Sequence, residues 1–333
     1  MRKRKTRLLP NVLISPREFI QLLSPQRRLS IRQYSFVVEF SDRNIMSNKT
    51  FEASIIADSV NPNGNRVTTF LLTYPRFIHS ELMTHRAFSR NAASSRAIPI
   101  EKVIEQVTTS PAKPVRWGKN GKGMQDHGIY EGEDIPIIEE CWFEAAKSAV
   151  NSARTLSGKG LHKQIVNRVL EPFVWMTTLV TATDFENFFS LRLHKDAQPE
   201  FQHLAYIMLK AYLSNQPIRK EWQEWHIPYG DKMPEGVTLP IKLKIATARA
   251  ARVSYLTMDG QIVTEKDISL HDNLVQNGHW SPFEHSCFAS EGSTGNFTGW
   301  QQYRHTFPNQ NRICDLTKLL KDYEDSIFVK QCT

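Results

Sequence analysis

The sequence has few cysteines, and no two of them form a Cys-x-x-Cys pair. Its four cysteines stand far apart along the chain. This spacing excludes a zinc ribbon or a thioredoxin-type redox motif, and it offers no framework of disulfides. We therefore predict a reducing, cytoplasmic setting. We predict no metal site either, because the histidines of GHWSPFEH (278–285) match no common zinc-binding spacing.

Long apolar runs and the common nucleotide-binding loops are also missing. The longest apolar run lies near residues 173–182, whereas a membrane-spanning helix needs roughly 20 residues. The basic N-terminus lacks an apolar segment followed by a small-residue cleavage site, so no secretory signal is predicted. Neither a Walker A pattern nor G-x-G-x-x-G occurs, which removes the sequence argument for a P-loop or a Rossmann domain.

Acidic residues are scarce at the start of the chain. Residues 1–45 contain ten lysines and arginines against three acids, whereas the rest of the chain contains 32 against 31. Such a composition is typical of a disordered extension, and MSNKTFEASII from Met46 is typical of the start of a folded domain. We predict a basic N-terminal extension, or an upstream mis-start, over residues 1–45 and a catalytic domain over 46–333.

Apolar periodicity predicts several elements of secondary structure. The β-branched and aromatic segment RVTTFLLTYP (66–75) ends in proline, which predicts a strand. Apolar spacing predicts an amphipathic helix over 136–157, with inward-facing side chains every three or four residues. Proline-rich residues 216–243 are predicted to be a connecting stretch, and TMDGQIVT (257–264) a hairpin. Further helices are predicted at GLHKQIVNRVLEPF, from about 197 to 213 and near 266–277, and the inward face of 136–157 comprises Ile138, Trp142, Ala145, Ala149 and Leu156.

The segment MTHRAFSRNAASSRAIP (83–99) contains three arginines and no acidic residue. In extended chain, side chains two residues apart face the same way, so Ser94 and Arg96 would face one ligand together. A guanidinium binds phosphate through paired hydrogen bonds, and a hydroxyl can bind a further oxygen. The composition leaves two possibilities open, a phosphate site and a surface loop with arginine–acid pairs.

Two further arginines lie in apolar surroundings. Arg192 follows NFFSL, and Arg168 lies within IVNRVLEPF. Burial of an unpaired charge is costly. Each arginine is therefore expected either to pair with an acid, such as Asp184 or Glu200 for Arg192, or to bind an anionic ligand.

Together these segments resemble the flavin-dependent thymidylate synthases. FFSLRLHKDAQPE is similar to the family segment F-x-x-L-R…A-Q-x-E, and ARVSY…GHWSPFEHSCF is similar to A-R-V-S…G-H-x-S-P-F-E-H-x-x-F. THRAFSRNAASSR resembles the family motif R-H-R followed by seven residues and serine. In this motif the matching residues are His85, Arg86, Ser89, Asn91, Ser94 and Arg96.

The order of the motifs differs from that of the family. Here the A-R-V-S and S-P-F-E-H segments follow the L-R segment instead of preceding R-H-R, so the chain resembles a circularly permuted member. Permutation preserves a fold when the original termini lie close together. FTGWQQYRHTFPNQN (297–311) resembles the R-H-R region a second time, with Gln301 and Arg304 at the positions of Glu81 and Thr84. Because Thr84 replaces the first arginine of R-H-R, we predict that Arg304 supplies that guanidinium.

The resemblance implies a fold, a reaction and a set of site residues. The fold would be α+β, an antiparallel sheet with packed helices, in a homotetramer with sites at subunit contacts. The reaction would be reductive methylation of dUMP to dTMP, with methylenetetrahydrofolate as carbon donor, FAD as hydride donor and NADPH as reductant. None of the four cysteines has the P-C-H setting that the unrelated class of thymidylate synthase uses. The implied nucleotide-binding residues are Ser94, Arg96, Arg168, Arg192, Glu81 and Gln301, with Arg192 and Ser94 catalytic, and the implied FAD-binding residues are His85, Arg86, Asn187, Ser254, His279, Ser281, Glu284 and Arg304.

Two other functions remain open. Ala92 stands where the family has an acid. Because acids and amides of a pocket select the exocyclic group of a base, a related flavin- and folate-dependent methylase or hydroxymethylase of another pyrimidine nucleotide, such as dCMP, is an alternative. A non-catalytic nucleotide or nucleic-acid binder is the other. Only the basic extension favours it, and it predicts salt-sensitive binding without bound flavin.

Overall fold

A five-stranded sheet forms the centre of the fold. The computed structural model describes residues 49–230, 233, 235–253, 264–308, 310–311 and 315–325. The strands of the sheet are β1 (Glu52–Val60), β2 (Arg66–Pro75), β3 (Ser89–Ala92), β4 (Trp175–Ala182) and β5 (Ile218–Arg219). Their order is β3-β4-β2-β1-β5, and every neighbouring pair is antiparallel except β1–β5. The α+β class is as predicted, but the sheet is mixed rather than antiparallel because a short parallel strand closes one edge.

Strand β2 has the bounds that the sequence predicted. It pairs with β1 over Arg66–Thr73 and with β4 over Thr68–Pro75, so both of its edges are paired along most of its length. Seven of the ten side chains are buried, which accounts for the continuous run of β-branched and aromatic residues in this strand.

Helices pack on the sheet and flank it. Their positions confirm the helices predicted at 136–157, within GLHKQIVNRVLEPF, from about 197 to 213 and near 266–277. In the longest of them the buried stripe consists of Ala146, Val150 and Ala153, while Ala145, predicted to face inward, is exposed. A step of one residue rotates a side chain by about 100° around the helix, which moves Ala145 off this stripe. The helices are α1 (His79–Leu82), α2 (Ile100–Thr109), α3 (Asp134–Gly158), α4 (Lys163–Leu170), α5 (Glu186–Arg192), α6 (Pro199–Ser214), α7 (Leu239–Ala251), α8 (Thr264–Gln276) and α9 (Leu316–Glu324).

A second, three-stranded antiparallel sheet contains β6 (Trp225–His226), β7 (Cys287–Thr294) and β8 (Phe297–Gln302) in that order. Strands β5 and β6 and the start of α7 all lie within residues 216–243. The prediction of a plain connecting stretch there was wrong, because two-residue strands are too short to show a periodic pattern.

Gly299 of β8 lies against the turn between β1 and β2. Its φ is +74°, and its carbonyl oxygen accepts a hydrogen bond from Asn61 Nδ2 at 2.8 Å. A Cβ atom at this position would collide with the side-chain amides of Asn61 and Asn65. Only glycine therefore allows the second sheet to approach this turn so closely.

We expect Gly299→Ala to lower the free energy of unfolding by about 3 kcal/mol, the sum of an unfavourable φ and overpacking. Gly64→Ala is the matched control, since Gly64 has φ +84° and open space around its Cβ position. This control should cost only about 1 kcal/mol. Urea denaturation of both variants measures the difference, and equal losses would show that the contact with the turn has no energetic role.

An aromatic cluster underlies the R-H-R-like segment. Phe88, Phe185, Phe188 and Phe201 are buried together between the sheet and helices α5 and α6. The imidazole of His85 packs edge-on against Phe188, with ring centroids 4.9 Å apart. The cluster therefore fixes the backbone of 83–92 next to the end of α5.

Several predictions fall outside the described residues. These are the basic extension over 1–45, the hairpin over 257–264 and the assignment of Ser254. Among the described helices, none combines the length and apolar character that crossing a membrane requires.

Candidate functional site

Arg192 ends helix α5 and joins two of the sequence motifs. Its Nε donates to His85 Nε2 at 2.9 Å, and its Nη1 donates to Glu81 Oε2 at 3.2 Å. Its guanidinium also lies 4.6 Å from the ring centroid of Phe201. The L-R segment and the T-H-R turn therefore form a single polar group at the surface of the aromatic cluster.

The acids that the sequence offered as partners of Arg192 have other roles. Asp184 accepts the backbone N–H of Glu186, the first residue of α5, at 3.0 Å. Glu200 is buried and accepts the backbone N–H of Val115 at 2.9 Å. Both expected pairings were wrong, because Glu81 and His85 reach Arg192 from a distant part of the chain.

His85 is a neutral hydrogen-bond acceptor in this group. Burial and, to a smaller extent, the nearby charges of Arg192 and Arg90 together lower the pKa of His85 to about 4. Its Nε2 accepts the proton of Arg192, so the imidazole proton lies on Nδ1. The neutral imidazole adds no charge of its own, so the charge of Arg192 is offset here by Glu81 rather than by His85.

Arg90 has a structural role. Its Nη1 donates to the carbonyl oxygens of Leu82, Met83 and His85 at 3.2, 2.7 and 3.0 Å. These carbonyls belong to the end of α1 and the following turn, where helical partners are missing. Burial lowers the pKa of Arg90, and the charge of Glu284 opposes that shift. Arg90 therefore fixes the turn that presents His85.

Residues 94–97 form a turn instead of extended chain. Strand β3 ends at Ala92, and the Ala97 N–H donates to the Ser94 carbonyl at 2.9 Å. The alternation used to predict that Ser94 and Arg96 face one ligand does not apply within a turn. Arg96 is nevertheless exposed at its tip. Asn167 of α4 supports the turn by donating to the Ser95 carbonyl at 2.7 Å.

Glu171 connects this turn to two further arginines. Its Oε1 accepts from Ser95 Oγ at 2.9 Å, Arg76 Nη2 at 3.0 Å and Arg168 Nη1 at 2.8 Å. Arg168 thus pairs with an acid, yet half of its side chain remains exposed. One carboxylate shared by two guanidiniums leaves a net positive charge beside the turn of Arg96.

The S-P-F-E-H segment lies beside strand β3. The side-chain amide nitrogen of Asn91 faces the carbonyl oxygens of Arg90 and Ser281, both 3.1 Å away. In this orientation the same nitrogen donates to His285 Nε2 at 3.0 Å. In the same segment Glu284 Oε1 accepts from Arg304 Nη1 at 2.5 Å. The C-terminal motif therefore meets the R-H-R-like segment, which is the arrangement expected of a permuted chain. The permutation itself stays a prediction.

The second R-H-R-like copy contacts the first through strand β8. Gln302 Nε2 donates to Ser89 Oγ at 3.0 Å and to the Glu284 carbonyl at 3.2 Å. Arg304, predicted to replace the arginine missing at Thr84, forms its ion pair with Glu284. Its predicted role toward a ligand stays a prediction.

The remaining candidate residues lie at the margin of this region. Ser281 begins the short helical turn that carries the S-P-F-E-H segment, and Gln301 pairs with Phe288 across β7 and β8. Within the described ranges, no group of three His, Cys, Asp or Glu side chains is arranged as metal ligands. The exposed candidates are Arg86, Asn187, His279 and Ser281.

A buried chain of five side chains crosses the sheet behind Asn91. His285 Nδ1 bonds to Thr181 Oγ1 at 2.8 Å, and Thr181 bonds to Thr69 at 2.8 Å. Thr69 then bonds to His226 Nε2 at 2.9 Å, and His226 Nδ1 bonds to Ser59 Oγ at 3.0 Å. Burial lowers the pKa of both histidines to about 3. Sequence reasoning missed this chain, since threonine in a strand and a lone histidine in WHIP carry no specific signal.

Comparison with known proteins identifies related sequences. Residues 64–218 match the family model for thymidylate synthase complementing protein. Flavin-dependent thymidylate synthases from two strains of Thermus thermophilus are each 35% identical over 88 residues, which are 26% of this chain and 32% of the relative. The chain thus spans about a third of the length of the curated relatives it matches.

Solved structures of a UMP/dUMP methylase, PolB from Streptomyces cacaoi, were also found. The complexes with 5-Br dUMP and with 5-Br UMP each align at 18% identity and a TM-score of 0.42. Each alignment covers 49% of this chain, and it covers 90% and 89% of the respective PolB chains.

The family match includes the two segments that the structure joins through Arg192 and His85. Both segments lie inside residues 64–218, and both carry motifs on which the resemblance was based. Residues 64–218 therefore match the thymidylate synthase complementing protein family, the family that the motifs of this chain resemble.

Proposed function

We propose that this protein is a flavin-dependent thymidylate synthase, which converts dUMP to dTMP by reductive methylation with methylenetetrahydrofolate. The observation that carries the proposal is the contact of Arg192 with His85 and Glu81. Through this contact the guanidinium of the L-R segment lies against the neutral imidazole of the R-H-R-like segment. The same site accounts for the family match and for the scarcity of acids in 83–99.

In this proposal the arginines bind the nucleotide. Arg96 and Arg168 bind the phosphate, because Glu171 is shared by Arg76 and Arg168 and therefore offsets only part of the positive charge beside the turn of residues 94–97. Ser94 provides a hydroxyl at the same turn. Arg192 uses two N–H groups on protein acceptors and directs the others toward a pyrimidine carbonyl. A cation there stabilises the negative charge that develops on the ring as C5 becomes nucleophilic.

The donor set around His85 fits a flavin. The exposed side chains of Arg86 and Asn187 offer N–H donors for a pyrophosphate and for ring carbonyls without a Rossmann loop. The Glu284–Arg304 pair offers both an acceptor and donors. FAD, when bound, would supply the hydride that reduces the transferred carbon, and NADPH would return the flavin to its reduced form. His85 holds its proton on Nδ1 throughout, since its lowered pKa keeps the imidazole neutral near pH 7.

A second candidate is methylation or hydroxymethylation of dCMP, and the residue that favours it is Ala92. This small apolar side chain takes the place of a family acid in strand β3, next to Asn91. A pocket without that acid loses one group that distinguishes the exocyclic positions of uracil and cytosine.

Tritium release from C5-labelled nucleotides tests the proposal. The purified protein should show flavin absorbance, and with methylenetetrahydrofolate and NADPH it should release tritium from [5-³H]dUMP. Release from [5-³H]dCMP in preference to dUMP would favour the second candidate. A colourless protein that releases tritium from neither nucleotide would contradict both.

We also propose that the protein assembles as a homotetramer with its sites at subunit contacts. Two large apolar side chains next to the site residues, Met83 and Leu191, are 42% and 57% exposed. Such side chains beside a charged site are typical of a surface that a second copy covers. Light scattering during gel filtration should give four times the monomer mass, and Leu191→Asp should lower that mass. A monomer in the unmodified protein would contradict the proposal.

A further inference from the structure

A cavity of about 480 Å³ lies along the edge of β1, away from the residues assigned to the nucleotide and the flavin. Small-molecule sites have volumes of about 300–1,000 Å³. Strands β5 and β6 and the start of α7 form its other walls. The side chains that give the cavity its chemical character are Ile55, Ser59, Lys220, Trp225, Ile227 and Lys242.

The cavity carries positive charge without a free acid. Lys220 and Lys242 are half-buried, and their ammonium groups have no ion pair in the part of the chain that the structure describes. Asp58, the acid in the wall, is engaged by Arg66 and by Asn215. The walls therefore present two cations next to apolar and aromatic surface.

The buried chain across the sheet ends at this cavity, and its direction is fixed. Asn91 donates to His285 Nε2, because its amide nitrogen faces two carbonyl oxygens. A neutral imidazole that accepts at one nitrogen donates at the other. His285 Nδ1 therefore donates to Thr181, Thr181 donates to Thr69, and Thr69 donates to His226 Nε2. His226 Nδ1 in turn donates to Ser59 Oγ.

Ser59 is left with a hydroxyl proton and no acceptor among the described residues. Its side chain is buried, at 3% exposure, and the residue lines the cavity. A buried donor without an acceptor is costly, and an anion in the cavity would provide that acceptor. Lys220 lies in the same wall, since its charge acts on the His226 imidazole.

We propose that this cavity is a second ligand site, which binds a small organic anion with a flat apolar body. Lys220, Lys242 and the Ser59 hydroxyl bind the carboxylate or phosphate. The ring of the ligand packs on Trp225 and on the isoleucines of the wall. This site goes beyond the proposed thymidylate synthase activity and does not depend on it.

Titration calorimetry on the full chain tests the site with phenyl phosphate and indole-3-acetate as probes. Lys220→Gln and Lys242→Gln should each weaken binding about tenfold, the typical effect of one charge-assisted hydrogen bond. Ser59→Ala should weaken it about fivefold. Lys210→Gln on the exposed face of α6 is the matched control and should leave binding unchanged. The probe that binds more tightly identifies the head group as phosphate or carboxylate.

Two results would overturn the proposal. One is the absence of binding by either probe to the unmodified protein. The other is binding that survives the Lys220→Gln/Lys242→Gln double variant but is lost in Arg168→Gln, which would place the probe at the arginine site. Thermal unfolding of each variant confirms that it is folded. Because the readout needs neither flavin nor dUMP turnover, failure here and failure of the proposed reaction are separate outcomes.

Discussion

Arg192→Ala is expected to lower kcat/KM for tritium release from dUMP by about 10³-fold, while the protein remains folded. The guanidinium belongs to the L-R segment, contacts His85 and Glu81 at the R-H-R-like segment, and keeps further N–H donors for the substrate. Loss of a single donor to a developing negative charge typically costs about 10²–10³-fold, and loss of nucleotide binding adds to this. Single-turnover kinetics with [5-³H]dUMP measure the effect.

Arg192→Lys provides the control for charge. Lysine keeps the positive charge but cannot bond to His85, Glu81 and a substrate carbonyl in one plane. We expect it to recover nucleotide affinity better than turnover, so that KM approaches that of the unmodified protein while kcat stays low. Full activity in Arg192→Ala, with unchanged flavin content, would show that the guanidinium is only a structural partner of Glu81.

Acidification from pH 7 to pH 5 is expected to lower the free energy of unfolding by about 4 kcal/mol through two histidines. His226 and His285 are fully buried, and burial lowers the pKa of each from 6.5 to about 3. The unfolded chain therefore binds protons before the folded chain does. The contribution of the two neutral imidazoles to the free energy of unfolding is fully present above pH 6.5 and is lost as the pH falls toward 3. Between pH 7 and pH 5 the loss is about 2 kcal/mol per imidazole.

Thermal unfolding at a series of pH values measures this loss, which corresponds to a decrease in Tm of roughly 8 °C. His285→Gln keeps hydrogen-bonding groups but removes the titration, so it should lower stability at pH 7 and flatten the pH dependence. His194→Gln, at an exposed position, should leave the slope unchanged. An unfolding free energy that is equal at pH 7 and pH 5 would contradict the burial of neutral imidazoles.

The periodic elements of the fold were predictable because their pattern is local. Strand β2 ends at Pro75, because proline has no backbone N–H to donate to a neighbouring strand. Helix α3 is 25 residues long, so its apolar stripe repeats over several turns. The turn at residues 94–97 was not predictable in this way. Serines and an arginine fit an extended strand as well as a turn, and the contacts of Asn167 and Glu171 decide between them.

The partners of the charged residues depended on the tertiary fold. The sequence left open whether Arg192 pairs with an acid, such as Asp184 or Glu200, or binds an anionic ligand. In the structure Glu81, 111 residues away, provides a carboxylate. The resemblance implied that both residues bind the nucleotide, but it did not indicate that they contact each other. The buried histidine chain had no pattern at all, because its members are single residues on four separate strands and one turn.

Titration of the FAD-loaded protein with dUMP, followed by the visible absorbance of the flavin, tests most directly whether the arginines and the flavin share one site. We predict a saturable spectral change with dUMP, at least tenfold weaker dUMP affinity in Arg168→Gln and in Arg192→Gln, and unchanged affinity in Lys210→Gln. A flavin spectrum that does not respond to bound dUMP, or equal dUMP affinity in all four proteins, would contradict it.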